Sequence, residues 1–203
     1  MKAMNPDLGE KIFTLQMAAA EEDAKGWKET IGVMAENFPE AAFILSGGDQ
    51  VQFQNREYEY TGFFSPHELT SLPVVPAPGN HEGDAVNFDY HFNLPNESSE
   101  YGANNACGDY YFNHGNALFM VLNMEPTVSV FPRQPPPPPG KLPPIKSEEE
   151  FKHTLSAFEQ YCDEKTGECT NVIENLKESV AEHEAFMKEA IAAHPDAKWK
   201  VVM

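Results

Sequence analysis

Two short polar segments hold the residue types best suited to chemistry, Ser46-Gly47-Gly48-Asp49 and Gly79-Asn80-His81-Glu82. Asp49 follows two glycines that let the backbone approach a ligand closely, and a carboxylate so placed can bridge two cations. Asn80 offers a neutral amide oxygen, which ligates a hard or borderline cation without adding charge that would repel an anionic substrate. His81 can give a proton to a leaving oxygen or hold a phosphoryl group. Together these types suit hydrolysis of a phosphate ester, in which paired cations about 3.5–4 Å apart polarise the phosphoryl oxygens and lower the pKa of a bound water. Glu82 is expected to hydrogen-bond the neighbouring histidine rather than to act in catalysis.

The elements around these segments are those that would bring them together. Residues 10–37 carry apolar side chains at helical spacing, including Ile12, Leu15, Ala19, Trp27, Ile31 and Met34, and Phe38-Pro39 ends the pattern. Ala41–Leu45 is a short apolar run expected to form a fully buried strand that stops just before Ser46-Gly47-Gly48-Asp49. Residues 55–71 read as helix and then loop, and Leu72–Ala77 is a second apolar run that leads into Gly79-Asn80-His81-Glu82. Strand, helix and strand in that order form a βαβ unit, whose ligand crevice lies at the carboxyl ends of the strands. Farther on, Asp109–Phe112, a turn at His114–Asn116 and the run Ala117–Asn123 predict a hairpin with a buried second arm. Ala181, Ala185, Phe186, Ala190 and Ile191 mark the expected buried stripe of a late helix, and Lys198–Met203 begins another strand.

Composition sets the outer bounds. The 203 residues carry a formal net charge of −18, which argues against a nucleic-acid backbone or an anionic membrane surface as partner. A hydrophobic fraction of 41% is too high for a disordered chain, and no apolar run reaches the ~18 residues of a membrane span. Eight of the 17 prolines fall between Pro132 and Pro144, where an extended, solvated segment is expected that could alternatively dock a partner's aromatic groove. Cys162 and Cys169 enclose a turn-like acidic loop. They read as a local disulfide worth about 2.5 kcal/mol in the chain-entropy model, with two unpaired thiols as the alternative. A disulfide would place the chain in an extracellular or periplasmic compartment, although its N-terminus shows no secretory pattern. Cys107 reads as a buried or stray thiol, and His91, His114, His153, His183 and His194 as surface or packing histidines.

The segments Ser46-Gly47-Gly48-Asp49-Gln50-Val51 and Pro78-Gly79-Asn80-His81-Glu82 resemble the GD and GNHE motifs of the calcineurin-like metallophosphoesterases, and more closely a bacterial branch similar to purple acid phosphatases. Tyr90–Asn96, Asp109–Phe112, Gly115–Phe119, Ala181–His183 and Lys198–Val202 also resemble that branch, so the likeness covers residues 25–123 and 180–203. The resemblance implies an α/β (α+β) chain, a two-layer β-sandwich flanked by helices and present only in part. Residues 124–179 stand as an insertion, Pro-rich over 132–144 and acidic and helical over 147–179. It also implies two divalent metal ions (Fe, Mn or Zn), with Asp49 as the bridging ligand, Asn80 as a ligand of one ion, His81 as the substrate-side histidine and a small phosphate ester as substrate. The family's first aspartate motif and its later histidines have no counterpart among these residues, so the chain is expected to be a catalytic-domain fragment, close to inactive by itself. Gln52 stands where purple enzymes carry a tyrosine, which favours a redox-silent pair of ions. The competing reading is an inactive scaffold that binds partners through its Pro-rich segment.

Overall fold

The computed structural model describes residues 6–125, 161–162, 169–170 and 172–203, and it divides the chain into two compact units, Met1–Asn93 and Leu94–Met203. The Pro-rich stretch 132–144, His153 and most of the acidic segment expected to be helical lie outside the described residues.

In the first unit, α1 (Pro6–Asn37) follows the periodic apolar pattern and stops where Pro39 disfavours the helical conformation of the residue before it. Phe38 closes the last turn by donating its N–H to Met34 O at 2.9 Å. The strands β1 (Ile44–Ser46) and β2 (Val74–Pro76) pair in parallel, Ile44 opposite Val74 and Ser46 opposite Pro76. Between them the chain forms α2 (Glu57–Phe63) and a 3-10 turn, His67–Thr70. This register places the polar segments after the two strands side by side. Ile31 of α1, Tyr60 and Phe63 of α2, Val75 of β2, Phe88 of α3 (Val86–His91) and Phe92 are buried as the core. Trp27 ties α1 to α2: its ring stacks on Phe63 at 5.2 Å, and its indole N–H donates to Phe63 O at 2.8 Å. The expected full burial of the first strand is not observed, since Leu45 is 45% exposed. Successive strand residues point to opposite faces, and Leu45 points to the more exposed face of β1 while Ile44 and Ser46 are half-buried on the other.

The second unit is built on the expected hairpin, β3 (Tyr110–His114) and β4 (Ala117–Val121), with His114 opposite Ala117 across a two-residue turn. Gly115 takes the first turn position at φ 56°, a conformation that favours glycine. The last strand, β7 (Trp199–Val202), runs parallel to β4 and makes a three-stranded sheet in the order β3-β4-β7. The helix α4 (Val172–Ala193) covers this sheet, with Phe186 and Ala190 packed against Leu118 and Met120. Its buried positions are His183, Phe186 and Ala190, with Met187 partly buried beside them. This corrects the expected stripe: Ala181 and Ile191 are exposed, because a histidine rather than an alanine starts the inward-facing row. Two short strands, β5 (Tyr161–Cys162) and β6 (Cys169–Thr170), pair antiparallel with Cys162 opposite Cys169. The mixed α/β class expected from the sequence holds.

Candidate functional site

The site is built from the turn after β1 and the turn after β2. Gly48 and Asp49 both have positive φ, 111° and 54°, so the chain reverses sharply as it leaves β1. A Cβ on Gly48 would lie 2.7 Å from the Gly79 Cα, and one on Gly79 would run into the Asp49 carboxylate. The two glycines therefore let the turns touch backbone to backbone. An aspartate tolerates the left-handed conformation at a cost of roughly 1–3 kcal/mol that the surroundings must offset.

That offset comes from Glu82. Its side chain is completely buried, and it accepts the N–H groups of Asp49 (2.9 Å), Val51 (3.0 Å) and Gly79 (2.8 Å). One carboxylate thus joins the two turns. A second acid continues the pattern: Glu59 accepts the N–H groups of Gln52 at 2.7 Å and Phe53 at 2.9 Å. Arg56 lies 3.9 Å from Glu59, and its guanidinium sits 3.8 Å above the Phe53 ring. The loop 49–53 is therefore held by two carboxylates through its amides. This corrects the expected role of Glu82, which bonds backbone amides of both turns. Sequence reasoning missed Glu59 altogether. Glu82 was visible as the last letter of a motif, whereas nothing in the spacing of Glu59 sets it apart from the other acids.

The three residues singled out for chemistry come together. Asp49 Oδ1 accepts the His81 N–H at 3.0 Å, and its carboxylate abuts Gly79, so the residues on both sides of Asn80 touch Asp49. Asp49 and Asn80 are exposed, within reach of solvent and of ions. His81 Nδ1 lies 2.8 Å from the Gln52 backbone oxygen, with the Gln52 side-chain amide 3.0 Å from the same nitrogen. The carbonyl oxygen accepts and the amide nitrogen donates, so Gln52 holds the ring through Nδ1 in either tautomer, and Nε2 is the nitrogen that these contacts leave free of Gln52. Gln52 thus orients the histidine.

A carboxylate oxygen and an amide oxygen at adjacent turns fit a hard divalent cation in kind. They do not complete a site: among the described residues no group of three or more His, Cys, Asp or Glu could hold a metal ion. Glu82, with its oxygens taken by three amides, is not available as a further ligand.

Among the described residues, His183, His91 and His194 make packing contacts of their own. His183 and Asp109, 4% and 0% exposed, share a 2.6 Å Nδ1 to Oδ2 contact in the second unit, and Asp109 Oδ1 accepts the Asn123 N–H at 2.8 Å. His91 meets Glu57 at 2.8 Å and stacks on Tyr60, and His194 meets Asn113 at 2.8 Å. Cys107 is buried, as expected. Among the described residues no helix is long and apolar enough to cross a membrane.

A family model described as calcineurin-like phosphoesterase matches residues 20–171 of the chain. No curated protein and no solved structure matches it.

Proposed function

This chain belongs to the calcineurin-like phosphoesterase family, and on that premise we propose that its first unit carries the phosphoryl-binding part of a metal-dependent phosphoesterase site. The observation that carries the reading is the convergence of Asp49 and His81 on turns stitched together by Glu82. Asp49 and Asn80 would hold divalent cations, and His81 Nε2 would face the phosphoryl group or the leaving oxygen. Two divalent ions, when bound, polarise the phosphoryl oxygens and lower the pKa of a water. Glu82 and Glu59 keep the loop in place, so that little reorganisation is needed when substrate arrives.

The finer reading is a bacterial branch similar to purple acid phosphatases, with a redox-silent pair of Fe, Mn or Zn and a small phosphomonoester or diester as substrate. We place the remaining ligands outside the described residues, because two oxygen donors do not hold two ions. The pairing of Cys162 with Cys169 across an antiparallel ladder supports an oxidising, extracellular or periplasmic compartment. Directly opposed residues in such a ladder have Cα atoms about 4.5–5.5 Å apart, within the range a disulfide spans.

Phosphatase assays with metal analysis test the reading. The 203 residues alone should hydrolyse an aryl phosphate barely above background. A longer polypeptide that supplies an upstream aspartate and a downstream Gly-His-x-His should gain hydrolysis that a chelator abolishes. Within it, Asp49→Asn should remove both activity and metal, whereas His81→Ala should lower turnover and leave metal content near normal. A longer protein that binds no metal would leave the partner-binding scaffold as the better account.

A further inference from the structure

A cavity of about 380 Å³ opens in the first unit beside the loop 49–53, a size common for small-ligand sites. Asp49, Gln52 and His81 stand at one part of its lining, and Ala20 and Trp27 of α1 with Phe63 of α2 supply an apolar wall. The cavity is therefore continuous with the site described above.

Its charges narrow the occupant. No lysine or arginine is among the lining residues, while Asp23 and Glu59 are. Glu59 is occupied by the Gln52 and Phe53 amides, and Asp23 is exposed. Arg56 is engaged by Glu59 and by the Phe53 ring, so a second phosphate or carboxylate on the ligand would find no lysine or arginine among the lining residues to receive it and would be repelled by Asp23. An uncharged apolar group would instead cover Ala20, Trp27 and Phe63 and gain from leaving water.

We propose that this cavity receives the organic group of a phosphate monoester of an uncharged, apolar alcohol, such as an aryl or short alkyl ester, with the phosphoryl group beside Asp49 and His81. The proposal rests on the phosphoesterase reading and names its substrate class.

Binding of two non-hydrolysable probes, phenylphosphonate and methylphosphonate, measured by calorimetry with Mn²⁺ present, tests it. The chain has two tryptophans, and Trp199 is 68% exposed, so a Trp199→Phe protein leaves Trp27 as a fluorescent reporter inside the cavity. Phenylphosphonate should bind about tenfold or more tightly than methylphosphonate and change Trp27 emission, by the burial of one ring. Ala20→Phe, at a half-buried position of the cavity wall on a helix whose fold circular dichroism can check, should erase that preference and leave methylphosphonate binding unchanged. Equal affinities, or a preference that survives Ala20→Phe, would overturn the substrate assignment and leave the phosphoryl site standing. Phenol binding as tightly as phenylphosphonate would also overturn it, by showing a cavity indifferent to the phosphoryl group. If neither phosphonate binds the longer polypeptide that supplies the missing ligands, the phosphoesterase reading fails together with the assignment.

Discussion

Each of the two units buries an acid, and the acids do different work. In the second unit Asp109 is bonded to His183 and the Asn123 N–H, with both partners of the acid–histidine pair inside the protein. In the first, Glu82 is equally buried but is bonded to backbone amides, and the groups it positions, Asp49 and Asn80, reach solvent. By residue type alone, the Asp109–His183 pair looks more like catalytic machinery than Glu82 does. Burial reverses that judgement: an acid–histidine pair closed inside a helix–sheet contact locks packing, whereas an acid under two exposed turns holds polar side chains within reach of solvent. The candidate site in this chain is distinguished by what its buried polar group leaves exposed.

The comparison breaks most visibly at Glu82. Glu82→Ala would orphan three amides, each costing roughly 1–3 kcal/mol when buried without a partner. The expected result is a first unit that loses much of its stability, with fast hydrogen exchange at Asp49, Val51 and Gly79. Slow exchange at all three in the variant would show that the carboxylate does not join the turns.

Removing the histidine of the other pair should act on stability alone. His183→Ala leaves Asp109 buried with one amide donor, and stripping one partner from a buried pair typically costs about 3–5 kcal/mol. Denaturant unfolding should register that loss, while binding of phosphonate probes beside Asp49 and His81 in the first unit stays as it was. Loss of probe binding with the fold intact would give His183 a role the comparison denies it.

The smallest effect is expected at Glu57, an exposed acid. Hydrogen bonds from Asn87 first and His91 second hold its pKa below the ordinary 4.5. A lowered folded-state pKa contributes stability that is fully present above the unfolded value and is lost as pH falls through the folded one. Glu57→Gln should therefore leave the unfolding midpoint at pH 7 nearly unchanged and slightly flatten its decline below about pH 4.5, as acid titrations of both proteins would reveal. A large shift at neutral pH would mean that the Glu57–His91 contact bears structural weight.

Local order and composition were sufficient for much of this chain. The long helix to Asn37, the two apolar runs, the hairpin around Gly115 and the closing strand follow from periodicity and turn chemistry, which depend on near neighbours in sequence. The place of Asp49, Asn80 and His81 on the turns after the two strands was likewise legible, because each ends or follows an apolar run with glycines beside it. Long-range partners were not. Whether Leu45 is covered depends on what lies against β1, and the inward row of α4 depends on Asp109 waiting to receive His183 from 74 residues away. Glu59 and Glu82 hold the site loop through backbone amides, and every residue but proline carries that donor, so no residue type at Asp49, Val51, Gln52 or Phe53 could announce the bond. Side-chain identity and spacing placed Asp49, Asn80 and His81 on their turns; only the folded backbone decided which acids would hold those turns still.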